Sequence, residues 1–254
     1  PACVGIDPVL GKLPEGLGRG EGSAASAARA IGVFSLEVLE AVVGRVPCVK
    51  LQSACFERYG HAGVRTLEEC IVAARQRDLQ VILDAKRGDI GVSAEHYAAA
   101  VFADDRDSAT TDRPDWVTIN AYLGEDGIRP FLSAGRGAFA LVRTSNPGGD
   151  AVQARRLADG RTVAESVAEL VASIGEEFVG QRGYSSLGAV VAATRAEDAA
   201  RLRRLMPRQI FLVPGFGAQG GGVEDVLPCF DADGRGAIIT ASRSVIYAFA
   251  DRGG

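Results

Sequence analysis

Eight short runs of apolar or β-branched residues recur along the chain, each followed by a polar or glycine-containing turn, and this recurrence limits the possible folds more than any other feature. The runs cover residues 2–6, 47–51, 80–83, 116–119, 138–142, 187–191, 210–213 and 237–239. Helical periodicity fills the intervals between them. Leu67, Cys70, Ile71 and Ala74 fall at i, i+3, i+4 and i+7, and Val163, Val167, Leu170, Val171 and Ile174 form a second stripe. Thr66 to Glu69, Thr162 to Glu165 and Thr194 to Glu197 have capping-box spacing and predict helix starts. Strands alternating with amphipathic helices call for a parallel sheet covered by helices. Eight such units in 254 residues predict a single α/β domain, the (β/α)8 TIM barrel, whose usual length is about 250 residues. Residues 104–115 and 146–160 read as surface excursions. Because the sequence starts at Pro1, one residue before the first predicted strand, further native residues are expected ahead of it.

Composition narrows the partners. The formal net charge is −4 and charges of both signs are intermixed, so no broad basic face is expected for nucleic acid. An anionic ligand must then be held by a local site, which points to a small molecule. The five cysteines, Cys3, Cys48, Cys55, Cys70 and Cys229, lack CxxC spacing and are odd in number. They are expected to be reduced thiols in a cytoplasmic protein. No apolar run approaches the ~18 residues of a membrane span, and no signal sequence opens the chain.

In a barrel the chemistry gathers at the C-terminal ends of the strands. Those positions carry Asp7, Lys50 with Gln52, Asp84 with Lys86 and Asp89, Asn120, Thr144 with Ser145, the loop 214–222, and Ser242 with Arg243. Asp84 and Lys86 stand two apart on a strand, which predicts that their side chains leave on one side, and Gly88 lets the chain turn to present Asp89. A D-x-K-x-x-D at a strand end is ordinarily a surface salt-bridge cluster. Charges aimed into a barrel mouth after the apolar Val81-Ile82-Leu83 are costly unless paired or used, so a functional reading is preferred. Lys50, taken alone, would snorkel to solvent; beside this cluster it becomes a second cation. The glycine-rich loop after strand seven and Ser242-Arg243 after strand eight occupy the usual phosphate-binding positions of barrels, and Arg243 offers a planar donor fork.

These motifs resemble the orotidine 5'-phosphate decarboxylase family, in its longer bacterial branch. The resemblance spans nearly the whole chain through Gly5-Ile6-Asp7-Pro8, Val49-Lys50-Leu51-Gln52-Ser53-Ala54, Asp84-Ala85-Lys86-Arg87-Gly88-Asp89-Ile90-Gly91, Asn120-Ala121-Tyr122-Leu123-Gly124, Arg143-Thr144-Ser145-Asn146-Pro147-Gly148, Pro214-Gly215-Phe216-Gly217-Ala218-Gln219-Gly220-Gly221 and Ala241-Ser242-Arg243-Ser244. Leu51 and Ala121 stand where that branch has proline, and Phe216 where it has tyrosine. The resemblance implies removal of CO2 from C6 of orotidine monophosphate to give uridine monophosphate, in pyrimidine biosynthesis, with no metal or organic cofactor. It implies a catalytic set of Lys50, Asp84, Lys86 and Asp89, with Lys86 protonating C6. It further implies Asp7 on the ribose, Thr144 and Ser145 on the pyrimidine edge, and Gln219, Ser242 and Arg243 on the phosphate. Asp89 and Ser93 are implied to come from the partner subunit of a homodimer.

Other conspicuous residues are read as structural. His61 and His96 are expected at the surface or in packing rather than on a metal, and Trp116 in the core. Arg201, Arg203 and Arg204 are expected on a solvated helix face, and Asp104, Asp105 and Asp107 in a wet loop. Two rivals remain open from the sequence. One is a D-x-K-x-x-D barrel lyase working on an enediolate with Mg²⁺, which would want further carboxylates where Lys50 stands. The other is a catalytically silent phosphate-binding barrel acting as a nucleotide sensor.

Overall fold

The structure, a computed structural model, describes residues 1–17, 22–102, 113–132, 136–192, 196–215 and 222–250. Its eight strands follow one another in sequence order around a closed barrel. They are β1 (Ala2–Ile6), β2 (Cys48–Gln52), β3 (Gln80–Arg87), β4 (Trp116–Ile119), β5 (Gly137–Arg143), β6 (Ser185–Val191), β7 (Gln209–Val213) and β8 (Ala237–Ala241). The helices are α1 (Ala24–Val42), α2 (Ser53–Glu57), α3 (Gly60–Arg75), α4 (Gly91–Phe102), α5 (Asp150–Gln153), α6 (Val163–Gly175), α7 (Ala196–Leu205), α8 (Val223–Val226) and α9 (Arg243–Ile246). The α/β barrel predicted from the alternating runs is therefore the fold. β1 and β4 keep the predicted limits, β2 shifts forward by one residue, and β5 to β8 extend by one or two residues at one or both ends. β3 moves by four, so Asp84 and Lys86 lie within the strand and not beyond it. Among the described residues, no helix is long and apolar enough to cross a membrane.

Contacts group the chain into two compact units. One comprises residues 2–85, 104–115 and 241–254; the other comprises Pro1, 86–103 and 116–240. In the first unit, β1 pairs parallel with β2, and β2 with β3. Val49, Leu51 and Val81 are fully buried, so both flanks of Lys50 along β2 are closed to water. Ser23 caps α1 by accepting from the Ser26 N–H (3.1 Å), and α1 packs on α3. The stripe Leu67, Cys70, Ile71 and Ala74 is buried as predicted. The helix it belongs to begins at Gly60, not at Thr66. Thr66 instead turns its hydroxyl back to the Ala62 carbonyl (3.0 Å), a mid-helix arrangement that reproduces capping-box spacing by coincidence. Asp115, at the end of the predicted excursion, accepts from the Val81 N–H (2.8 Å) and pairs with Arg75 (2.7 Å), so it fastens β3 and is not simply solvated.

In the second unit, β4 to β8 pair parallel in order. Trp116 is half-buried and stacks on Phe139 with ring centroids 4.7 Å apart. Thr162 and Glu165 form the predicted capping box at the start of α6. The deepest face of α6 is Ala164, Ala168, Val171 and Ile174, while Val163, Val167 and Leu170 are only half-buried, so small residues take the closest approach. Thr194, the start of the third predicted box, lies outside the described residues, as do Asp104, Asp105 and Asp107. Arg201 and Arg204 are exposed, but Arg203 contradicts the solvated-face reading. It is buried, donates to the carbonyls of Met206, Gln209, Cys229 and Gly236 at 2.8–3.1 Å, and lies 3.6 Å from the centre of the Phe211 ring. A guanidinium has five donors, enough to gather several carbonyls at one point.

Candidate active site

The first unit holds Asp7, Lys50, Asp84, Ser242 and Arg243. Lys50 lies mid-strand on β2, where barrel burial leaves its stem no route to solvent, and its side chain is 8% exposed. Its ammonium donates to Asp84 Oδ2 at 2.8 Å and stands 3.6 Å from Asp7 Oδ1. Burial alone would push the ammonium down. The charges of Asp84 and Asp7, with the hydrogen bond to Asp84, outweigh that and hold it above the ordinary lysine value. The distance to Asp7 is too long for a hydrogen bond, and Asp7 Oδ1 is a buried acceptor with no hydrogen-bond donor among the described residues. A ligand hydroxyl would satisfy it.

Two further contacts fix this cluster. The Tyr247 hydroxyl accepts from the Val9 N–H (2.7 Å) and donates to the Asp7 carbonyl (3.2 Å), while its ring stacks on Phe34. The turn carrying Asp7 is thereby tied to the segment that follows Ser242 and Arg243. Ser242 also lies directly over β1: a Cβ at Gly5 would stand 1.9 Å from its Oγ, so only glycine allows the approach. Arg243 opens α9 with an exposed side chain. Sequence reasoning missed Tyr247, because its partner lies 238 residues away and no local pattern announces it.

The second unit holds Lys86, Asp89, Ser93, Thr144 and Ser145. Lys86 has φ +48, so the chain leaves extended geometry there and simple strand alternation does not set its direction. A non-glycine residue in the left-handed region costs ~1–2 kcal/mol, and such strain clusters at functional sites. The backbone is secured on either side: Lys86 N–H donates to Thr118 Oγ1 (3.0 Å) and Asn120 N–H to the Arg87 carbonyl (2.7 Å). Asp89 accepts from its neighbour's N–H at Ile90 (2.9 Å), and Ser93 is exposed on α4. Thr144 Oγ1 is engaged by Gln153 and Asn146, whereas the half-buried Ser145 hydroxyl has no partner among the described residues. Gln219 and Phe216 lie outside the described residues, and His61 and His96 are exposed.

A (β/α)8 barrel with a buried ammonium clasped by carboxylates at its strand ends belongs with the barrel enzymes that work through charged side chains. The description of the orotidine 5'-phosphate decarboxylase / HUMPS family matches residues 34–252. An orotidine 5'-phosphate decarboxylase from Rhodopirellula baltica is 44% identical over 97% of this chain and 83% of its own length. One from Deinococcus radiodurans is 41% identical over 97% and 84%. The solved structure of Leishmania donovani OMP decarboxylase superposes with a TM-score of 0.76 at 30% identity, covering 99% of this chain and 89% of that one. The chain belongs to the orotidine 5'-phosphate decarboxylase family, as the motif order indicated.

Proposed function

We propose that the chain decarboxylates orotidine 5'-monophosphate to uridine 5'-monophosphate, without a cofactor, in pyrimidine biosynthesis. The observation that carries this reading is the buried Lys50 held by Asp84 at 2.8 Å and Asp7 at 3.6 Å, in a chain of this family. In the proposed step the bond from C6 to the carboxylate breaks, CO2 departs, and the electron pair stays on C6. No neighbouring carbonyl delocalises that pair as an enolate, so fixed positive charge must stabilise it. The Lys86 ammonium supplies the charge and then the proton to C6, and regains a proton from water. Asp84 stands by the departing carboxylate and, with Lys50, keeps the charge pattern rigid. Asp7 Oδ1, buried with no donor among the described residues, accepts from a ribose hydroxyl.

Ser145, with Thr144 behind it, reads the pyrimidine edge, and Gln219, Ser242 and Arg243 take the phosphate. Phosphate binding energy is expected to order the site for catalysis. Asp89 and Ser93 act across a homodimer interface. Support comes from exposed apolar residues around them, with Ile90 54% and Val92 66% accessible and Tyr97 beyond. The five free thiols suit a cytoplasmic setting.

Loss of the orotate absorbance, followed with excess chelator present, tests the reaction. Wild-type protein is expected to turn over fully under chelation, and Lys86→Ala to lose nearly all turnover while keeping its fold. Turnover by Lys86→Ala close to wild type would remove Lys86 from the proton-transfer role.

A further inference from the structure

The end of β5 carries an arrangement that the proposed chemistry does not use. The Thr144 N–H donates to Gln153 Oε1 (2.9 Å), and Gln153 Nε2 donates back to Thr144 Oγ1 (2.7 Å). The Thr144 hydroxyl proton is in turn given to Asn146 Oδ1 (2.6 Å). Gln153 is itself oriented, since Arg143 Nη1 donates to the same Oε1 (3.3 Å) while Nη2 grips Asp150 (2.5 Å). Arg143 is only 5% exposed, so this orientation comes from a buried charge and not a mobile surface arginine. Gly149 completes the turn: a Cβ there would stand 3.1 Å from Thr144 Oγ1 and 3.3 Å from Gln153 Oε1.

The accounting of donors separates two neighbours. Thr144 has its hydroxyl proton and one lone pair committed inside the loop, whereas Ser145 keeps its hydroxyl uncommitted among the described residues. The clamp closes on both the N–H and the side chain of the residue immediately before Ser145. Rotation of that peptide would swing the Ser145 hydroxyl.

We infer that Gln153, oriented by Arg143, is a positioning residue for pyrimidine recognition: it locks Thr144 so that Ser145 alone presents a free hydroxyl to the base. The inference rests on the proposed orotidine monophosphate substrate and adds that Thr144 serves the loop and not the ligand. Because the clamp bears on the base side only, its loss is specific to ligands that carry a base.

The test compares wild type, Gln153→Ala, Ser145→Ala and the double variant. It measures orotidine monophosphate turnover and the calorimetric Kd of uridine monophosphate and of ribose 5-phosphate. Gln153→Ala is expected to raise KM and the uridine monophosphate Kd about tenfold, equivalent to about 1.4 kcal/mol, and to leave the ribose 5-phosphate Kd unchanged. If Gln153 acts through Ser145, adding Gln153→Ala to Ser145→Ala costs little more, the non-additivity expected of coupled sites. Gln153→Glu keeps the acceptor oxygens but lacks the donor to Thr144; it should fall between, and it carries the test if the alanine variant does not fold. Equal weakening of both ligands, or full additivity with Ser145→Ala, overturns the inference. Failure of the wild-type protein to turn over orotidine monophosphate overturns the substrate reading and this one with it. Turnover with an unchanged ligand ratio overturns the positioning role alone.

Discussion

Replacing Lys50 by methionine separates the energetics of the buried cluster from its chemistry. Methionine matches the lysine stem but removes the ammonium that donates to Asp84 Oδ2 at 2.8 Å, on a carboxylate only 10% exposed. At an effective dielectric constant of about 20 that contact is a gross attraction of about 6 kcal/mol. The net cost of breaking a buried pair is smaller but still about 3–5 kcal/mol, because a buried charge loses its closest compensation. Against a total stability of about 5–15 kcal/mol the loss is large, and at ~2–4 °C per kcal/mol for a chain of this size it predicts a Tm lower by roughly 6–20 °C. Urea unfolding and calorimetry read that shift. Lys50→Met combined with Asp84→Leu removes both charges, so stability is expected to recover most of the loss, the buried Asp7 Oδ1 accounting for the remainder. Neither variant should consume orotidine monophosphate. A single variant as stable as wild type would refute the claim that burial makes Asp84 depend on Lys50, and a double variant that decarboxylates would refute the catalytic reading of the pair.

Further expectations concern parts that hold the barrel and seat the site. Arg203→Met removes the guanidinium donors from four carbonyls, of which Gly236 keeps the Phe211 N–H; unfolding should show a loss of roughly 3–5 kcal/mol with kcat per folded molecule unchanged, and a loss under ~1 kcal/mol would mean water replaces the guanidinium. Gly5→Ala forces Ser242 away from its contact with β1; KM should rise, and adding Ser242→Gly should restore stability but not KM, whereas recovery of KM would free Ser242 from any binding role. Glu165 is held below the ordinary carboxylate range chiefly by the Thr162 N–H, helped by the Thr162 hydroxyl and Arg201, although burial works to raise it. Its stabilisation is therefore present above the unfolded value of about 4.3 and is lost as pH falls through the folded value. Glu165→Gln should be less stable at neutral pH, by no more than the ~0.5–2 kcal/mol of a helix cap, with the difference gone in acid; a pH-independent difference would contradict this.

The sequence made the strands legible because burial on both faces of a barrel strand writes itself as short apolar runs, such as Val117 to Ile119 and Val81 to Leu83. It hid the length of β3, since Asp84 to Arg87 have the polarity of a turn yet remain in the strand. The Thr162 and Thr66 boxes look identical in one dimension, and only the position of the preceding turn decides between a cap and a back-bonded threonine. Lys50, Asp84 and Asp7 were readable as a set from their places at strand ends. Their mutual distances were not, and neither were the fastenings by Tyr247 and Gln153, which join residues across long or irregular separations where no periodicity operates.

Arg203 and Lys50 show why charge in an apolar context is ambiguous until the acceptors are seen. Both are buried cations beside hydrophobic stretches. Arg203 is met mainly by neutral carbonyls, and burial pushes its guanidinium down, yet guanidinium stays charged at any working pH. Such a site has one charge state and can only hold the loops and strands it touches. Lys50 is met by two carboxylates that can exchange protons or repel a third negative charge, and their fields raise it despite burial. A ligand that brings its own carboxylate into the reach of Asp84 would encounter a charge pattern already fixed, with no solvent reorganisation left to make during reaction. That difference in acceptors, carbonyl against carboxylate, fits the first cation to stability and the second to the chemistry proposed for it.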